Sequence, residues 1–298
     1  MPRDWEAWLA IASGPASLTE EQDRDRTEGR IRDAVEATDL SPNVRIYAKG
    51  SYANNTNVRR DADVDVAVEW TNTFKVGRVG DAVGMSPEDL GYTSVEAPIT
   101  PEAFRRDVEQ ALIDAFGSTQ VETSPDKCVG VKAGTGTLDA DVVPCFEFHR
   151  YHGPGHYYTG HRIFPKRGGS TDNFPKQNYD NGVAKNTRTG KRYKEIVRCM
   201  KRLEGELYRE GAIPRDYPGY LIESLVYNVP DGFFGPDRRY DALREVLAFL
   251  WNGLRDESVY LDWTEPSALV WLFRLRPDRI PANALRLVQA AWKKMELK

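Results

Sequence analysis

Two pairs of aspartates carry the most chemistry in this chain. Asp63-Val64-Asp65-Val66-Ala67-Val68 alternates charged and apolar residues with period two, the pattern of a half-buried strand. On such a strand Asp63 and Asp65 point to one face, with Cα atoms roughly 6.5 Å apart by strand rise. Neighbouring carboxylates raise one another's pKa unless a cation lies between them. Ligands that are all oxygen select hard ions, Mg²⁺ before Zn²⁺. Just upstream, Val44-Arg45-Ile46-Tyr47-Ala48 reads as another strand and Gly50-Ser51 as the sharp turn after it. That turn would offer backbone N–H groups and a hydroxyl to a phosphate held near the same ion. Further on, Thr137 to Pro144 forms a strand with a second pair, Asp139 and Asp141, on one face. Asp-x-Asp taken alone is most often a solvated strand face. The joint pattern of strand, Gly-Ser, a short polar stretch and Asp-x-Asp in an apolar strand is far more specific.

That joint pattern resembles the nucleotidyltransferase superfamily of DNA polymerase β. Its elaborated form here, GSYANNTNVRRDADVDVAVE with Thr56 five residues after Ser51, is similar to the bacterial CD-NTases, relatives of cyclic GMP-AMP synthase and oligoadenylate synthetase. The resemblance implies a third metal-binding aspartate just before an apolar-apolar-Pro ending. Asp141 in Asp141-Val142-Val143-Pro144 matches, whereas Asp139 does not and reads as a strand residue at the solvent edge. Asp63, Asp65 and Asp141 would then hold two Mg²⁺ ions, with Mn²⁺ as a substitute, about 3.5–4 Å apart. Asp141 would also serve as base for the attacking hydroxyl. Gly50 and Ser51 would hold phosphate, and Lys201 on a helix from Thr189 to Arg209 would meet the donor triphosphate. In the family a Ser and an aromatic open the next helix. Gly219 stands where the serine is expected, so Tyr220 keeps the base-stacking role while the serine contact is missing.

The elements around these residues predict an α+β fold: a two-lobe, polymerase β-like nucleotidyltransferase with a mixed-sheet lobe and a helical C-terminal lobe. The catalytic lobe spans 1–164, including a long spine helix from about Leu18 to Thr38, and a helical lobe over 165–298 closes the active site. Pro101 to Gly117 is a helix with Pro near its start, Gly at its end and Phe104, Val108, Ala111 and Leu112 on its core face. Residues 71–100 show little periodicity and read as a loop. Residues 160–186 are rich in Gly, Pro and Asn and read as a long functional loop. Lys194, Arg198, Lys201 and Arg202 ride on the 189–209 helix, where a basic stripe is usually solvated.

With 298 residues and a net charge of −4, the chain shows no global basic field of the kind nucleic-acid binders carry. Cys128, Cys145 and Cys199 lack metal spacing, which suits a reducing compartment. No signal peptide or membrane-length apolar run is present, and a cytoplasmic location without membrane partners is expected. The four histidines, His149, His152, His156 and His161, cluster among tyrosines. A zinc site there is conceivable, but a β-hairpin with surface histidines is the preferred reading.

The resemblance implies an enzyme that joins NTPs (ATP, UTP or GTP) into a cyclic di- or trinucleotide second messenger, releasing pyrophosphate. That product would signal in CBASS antiphage defence and reach a cyclic nucleotide-sensing effector indirectly. The run Asn173-Phe174-Pro175, Asn181-Gly182 and Lys185-Asn186-Thr187 resembles the clade making uridine-containing cyclic dinucleotides. Asn173 would read one base there, because an amide offers a donor and an acceptor to uracil and an aromatic neighbour could wall the pocket. Against this stands plain turn geometry for Asn173, Asn178 and Asn181. Three rival functions remain: a linear-product enzyme like oligoadenylate synthetase, a catalytically inactive nucleotide-binding module, and a small-molecule modifier such as an aminoglycoside nucleotidyltransferase.

Overall fold

The computed structural model describes residues 3–58 and 63–297. In chain order the helices are α1 (Trp5–Ala12), α2 (Leu18–Glu36), α3 (Gly50–Ala53), α4 (Pro101–Phe116), α5 (Pro175–Arg188), α6 (Arg192–Arg209), α7 (Gly219–Tyr227), α8 (Arg239–Gly253), α9 (Glu257–Tyr260) and α10 (Pro281–Lys294). The strands are β1 (Val44–Ala48), β2 (Val64–Arg78), β3 (Val121–Glu122), β4 (Val129–Val131), β5 (Ala140–Gly153), β6 (His156–Ile163) and β7 (Thr171–Asn173). The chain divides into two compact units, one of residues 18–52 and 61–175, the other of residues 1–17, 53–60 and 176–298.

The first unit is a mixed sheet under helices, as the α+β reading expects. β2 and β5 run parallel at its centre, and β1 joins β2 antiparallel. β5 is long enough to take two partners on its other edge, β4 along Ala140–Val142 and β6 from Cys145 onward. Period-two patterning separates the faces. Val64, Val66, Val68 and Trp70 of β2, with Val142 and Phe146 of β5, meet Ile31 and Val35 of α2 and Phe104, Val108 and Leu112 of α4. The opposite face carries Asp65 and Ala67 beside Val143 and Cys145. Helix α4 has both expected end signals, Pro101 in its first turn and Gly117 closing it at φ +84°, and Thr100 Oγ1 also caps its start by accepting from Ala103 N–H.

Two loop expectations give way. Residues 71–78 continue β2, which resumes pairing with β5 at Lys75 after an irregularity following Trp70. The polar run Thr71-Asn72-Thr73 hides this in the sequence, because the strand there is only half-buried. Residues 160–186 likewise hold the end of β6, all of β7 and helix α5, with only the stretch around Gly168 and Gly169 in turn geometry. Pro175 acts as the first residue of α5 and not as a breaker. That helix buries only Gly182 and Lys185, so it shows no apolar stripe to read.

The second unit is helical. α6 is its strongest amphipathic element, and Tyr193, Ile196, Val197, Met200, Leu203 and Leu207 pack with α1, α7, α8 and α10 in one core. The basic stripe of Lys194, Arg198, Lys201 and Arg202 is not solvated. Lys194, Arg198 and Lys201 are buried. Arg198 donates to the carbonyls of Ser13 and Asn55, both at 2.7 Å, and Lys201 to that of Thr56 at 3.0 Å. Arg202 reaches the carbonyl of Ile11 at 2.6 Å. The stripe therefore binds two separate strands of backbone, residues 11–13 and 55–56, to one helix.

Candidate active site

In the sheet unit, the parallel register of β2 and β5 sets Asp65 opposite Asp141, and Val64 N–H donates to the Asp139 carbonyl at 2.8 Å. The alternation of both strands puts the Asp65 and Asp141 carboxylates on the face away from the helices, roughly one strand spacing of ~4.8 Å apart at Cα. Asp63 lies one pleat before Asp65 on that face. Its carboxyl titrates above the ordinary aspartate range, first because surrounding atoms strip its hydration, then because Asp141, Asp139 and Asp65 repel its charge. Lys49 Nζ stands 3.7 Å from Asp65 Oδ1. Asp139 is turned elsewhere: its Oδ1 accepts from Ala133 N–H at 2.5 Å, a local structural role.

Gly50 explains itself in this geometry. It takes φ +71°, and a Cβ there would lie 2.0 Å from Asp65 Oδ2. Only glycine lets the backbone pass so close to the carboxylate. Ser51 follows in the single turn of α3, half-buried.

The donor chemistry suits a hard cation. Cys128 Sγ is 3.2 Å from Asp141 Oδ1, but burial, and next the Asp141 charge, push its thiol up to about 12. It is a hydrogen-bond donor to the carboxylate, not a thiolate ligand, and the remaining groups offer oxygen. Among the described residues, no three His, Cys, Asp or Glu side chains already stand close enough to enclose one ion. The aspartates thus share a face and a chemistry, with their rotamers not drawn together.

In the helical unit a second polar cluster forms around Glu223, which is 2% exposed in the otherwise apolar α7. Its Oε2 accepts from Thr56 Oγ1 at 2.7 Å and its Oε1 from Asn54 Nδ2 at 3.2 Å. Lys201 Nζ is 3.6 Å from Glu223 Oε2 and donates to Thr56 through both its carbonyl and its hydroxyl. Gly219 borders this group: a Cβ there would sit 3.3 Å from Lys201 Cε. Tyr220 is half-buried, and its hydroxyl lies 3.0 Å from Glu265 Oε2 and 3.1 Å from Asn178 Oδ1. Sequence reasoning missed Glu223 and Glu265. A lone acid inside the apolar run Tyr220 to Tyr227 was the available signal for Glu223; none existed for Glu265.

Asn173 is half-buried in β7, paired with His161, which in turn pairs with Glu147. This register puts Asn173 on the sheet face of Asp65 and Asp141, but six residues along β5, roughly 20 Å by strand rise. Phe174, the next residue along, is buried with its ring centroid 6.0 Å from that of Phe148 and under the Arg150 guanidinium. The histidine hairpin is present as β5–β6, yet only His152 and His156 are exposed. His149 is buried against Glu147, at 2.7 Å, and His161 is fully buried with Nδ1 3.0 Å from the Tyr47 hydroxyl. Burial, then Lys49 and Arg45, hold the His161 imidazole down at about 3.

A mixed sheet that presents aspartates from two parallel central strands beside a Gly-Ser turn, followed by a helical unit, defines a polymerase β-type nucleotidyltransferase. Comparison with known proteins narrows the class. Residues 180–296 match the cGAS/DncV-like nucleotidyltransferase C-terminal helical domain. The chain is 36% identical over 278 residues to a cyclic dipyrimidine nucleotide synthase, CdnE, of Legionella pneumophila, and 32% identical over 277 residues to its namesake from Cecembia lonarensis, with 92% of each chain covered in both cases. The structure of the Rhodothermus marinus CdnE c-UMP-AMP synthase with Apcpp and Upnpp superposes with a TM-score of 0.82 at 29% identity, over 98% of this chain and 95% of that one. The chain belongs to the cGAS/DncV-like nucleotidyltransferase family, the CD-NTases.

Proposed function

We propose that this enzyme joins nucleoside triphosphates into a cyclic dinucleotide containing a pyrimidine, releasing pyrophosphate at each bond. The observation that carries the reading is the Asp65–Asp141 register pair with Asp63 on the same face, in a chain so similar to cyclic nucleotide synthases. Asp63, Asp65 and Asp141 are the residues that would hold two Mg²⁺ ions, for which Mn²⁺ would substitute. Such ions lower the pKa of an attacking hydroxyl and neutralise charge on the leaving pyrophosphate. Asp141 is the base for that hydroxyl, and the Cys128 thiol holds its Oδ1. Gly50 brings the backbone against Asp65, leaving Ser51 to bond phosphate. Lys201 supplies positive charge to the triphosphate, and the Tyr220 ring stacks on a base. Asn173 addresses a base, far along the sheet from the reacting phosphate. The cyclic product acts as an antiphage alarm read by a separate effector, as the CBASS resemblance implies.

The test is incubation of the full chain with ATP, GTP, CTP and UTP in Mg²⁺ or Mn²⁺, with mass spectrometry of phosphatase-resistant products. A resistant cyclic product containing uridine or cytidine is expected. Products destroyed by phosphatase would establish a linear-product enzyme instead, and no turnover would favour a binding module. Competition of UTP with ATP, repeated for Asn173→Ser, tests base reading. A lost bidentate contact shifts preference by about 1–3 kcal/mol, and an unchanged product ratio would leave Asn173 as a structural residue of β7.

A further inference from the structure

The Tyr220 phenol has one proton and two oxygen acceptors within 3.1 Å, Glu265 Oε2 and Asn178 Oδ1. The carboxylate is the stronger acceptor, so the phenol O–H donates to Glu265 Oε2. Turning the Asn178 amide about its Cβ–Cγ bond then lets Nδ2 donate to the phenol oxygen, so that the phenol both donates and accepts. Glu265 is buried, and its other oxygen, Oε1, accepts from Arg279 at 2.7 Å and from Arg276 at 3.2 Å. Arg279 also carries its guanidinium carbon 5.8 Å from the Tyr220 ring centroid.

The loop that delivers Glu265 is fixed from two helices. Asn228 exchanges two bonds with Thr264, donating to its carbonyl at 2.7 Å and accepting its N–H at 3.0 Å. Asn181 Nδ2, one turn beyond Asn178 on α5, donates to the Pro266 carbonyl at 2.9 Å. The same loop holds Ala268 and Leu275 at φ +59°, a conformation side chains resist unless surrounding structure dictates it. Packing a tyrosine needs none of this. A ring held at a set angle does, since the direction of the hydroxyl and the face of the ring are then both determined.

We propose that Glu265, fixed by Arg276 and Arg279, is a positioning residue for the nucleotide site: it sets the Tyr220 ring as a base platform and, through the phenol oxygen, orients the Asn178 amide. This rests on the reading of Tyr220 as a stacking residue. The experiment measures KM and kcat for NTP use, with the thermal midpoint, in wild type, Tyr220→Ala, Tyr220→Phe, Glu265→Gln and the Tyr220→Phe/Glu265→Gln double variant of the full chain. Tyr220→Ala should raise KM about tenfold or more. Tyr220→Phe keeps the ring and the fold. It and Glu265→Gln should each raise KM about threefold to tenfold, with kcat within about twofold, and the double variant should be no worse than the worse single one. If Tyr220→Ala leaves KM unchanged, the stacking reading falls and this inference with it. If Tyr220→Ala raises KM while Tyr220→Phe does not, or the two single effects simply add, stacking stands and the positioning role of Glu265 is overturned.

Discussion

Replacing Asp63 by asparagine should abolish synthesis and stabilise the metal-free protein. Every resolved influence on the Asp63 carboxyl opposes its charge: lost hydration first, then Asp141, Asp139 and Asp65. Its pKa is therefore higher in the fold than in the unfolded chain, so the fold gains from this group at low pH and loses that gain as pH rises through the shifted value. At neutral pH the ionised side chain is a net penalty. Its neighbour Asp65 stands about 6 Å away by strand rise, where like charges repel by roughly 0.7 kcal/mol in water and ~3 kcal/mol at an effective dielectric of 20. Asp63 is exposed, so the lower figure applies, further reduced by salt. Summed over three neighbours, Asp63→Asn should gain about 1–2 kcal/mol, some 2–5 °C in thermal midpoint. Asp65→Asn should gain less, since Lys49 lies 3.7 Å from that carboxylate. Midpoints are to be read in EDTA at neutral pH and near pH 3, where the gain should vanish because both forms are uncharged. Added Mg²⁺ should raise the wild-type midpoint and leave the Asp63→Asn/Asp65→Asn variant unmoved. A variant that melts below wild type in EDTA at neutral pH, or keeps near-normal synthesis, refutes the carboxylate-cluster argument.

Gly50→Ala should push Asp65 aside, costing about 1–2 kcal/mol from the left-handed backbone alone and raising the Mg²⁺ needed for activity; an unchanged Mg²⁺ titration would separate Gly50 from the site. Lys201→Met should destabilise by about 3–5 kcal/mol in urea unfolding, because Glu223 is left as a buried unpaired charge, and Lys201→Met/Glu223→Gln should recover most of it. Equal stability of Lys201→Met and wild type would show that the pair holds nothing together. His161 stays neutral in the fold while the unfolded imidazole takes up a proton below about 6.5, so its contribution is present above that pH and is lost toward 3. Wild type should therefore lose roughly 1–2 kcal/mol more than His161→Gln between about pH 7 and about pH 5; parallel losses would assign the acid sensitivity elsewhere.

Residues with period-two or helical patterning were legible because burial on one face dictates them. β1, the start of β2, α4 and α6 follow from such patterns, and so does the shared face of Asp63, Asp65 and Asp141. What escaped is structure decided by distant partners. β2 beyond Trp70 is polar yet paired with β5, and α5 is a helix of asparagines and lysines held by side-chain bonds to distant segments, Asn181 to the Pro266 carbonyl and Lys185 to that of Val229. The basic stripe of α6 misled for the same reason. A lysine or arginine reads as solvated until the chain brings carbonyl oxygens to it, and the residues supplying them lie more than 140 positions away. Gly50 could be recognised as a turn, but its closeness to Asp65 is a tertiary fact.

The carbonyl clamp on α6 bears on how such a gene can be cut and recombined. The chain passes between the two units after residues 17, 52, 60 and 175. A fragment beginning at 176 would encode α6 entire, yet Arg198, Lys201 and Arg202 would have lost the carbonyls of Ser13, Asn55, Thr56 and Ile11 that hold them. The helical unit is therefore not a cassette. A crossover between two related genes that replaces only the C-terminal half would set one parent's helix against the other parent's two short backbone segments. Residues 11–13 contribute carbonyls alone, whereas Asn54 and Thr56 also bring side chains to Glu223 and Lys201, so the graft tolerates sequence differences in the first segment, fewer in the second, and a change of length in neither. Viable chimaeras should thus keep the spacing of residues 11–13 and 54–58 from the α1 and Gly50-Ser51 landmarks, and insertions there should be purged even where substitutions are not.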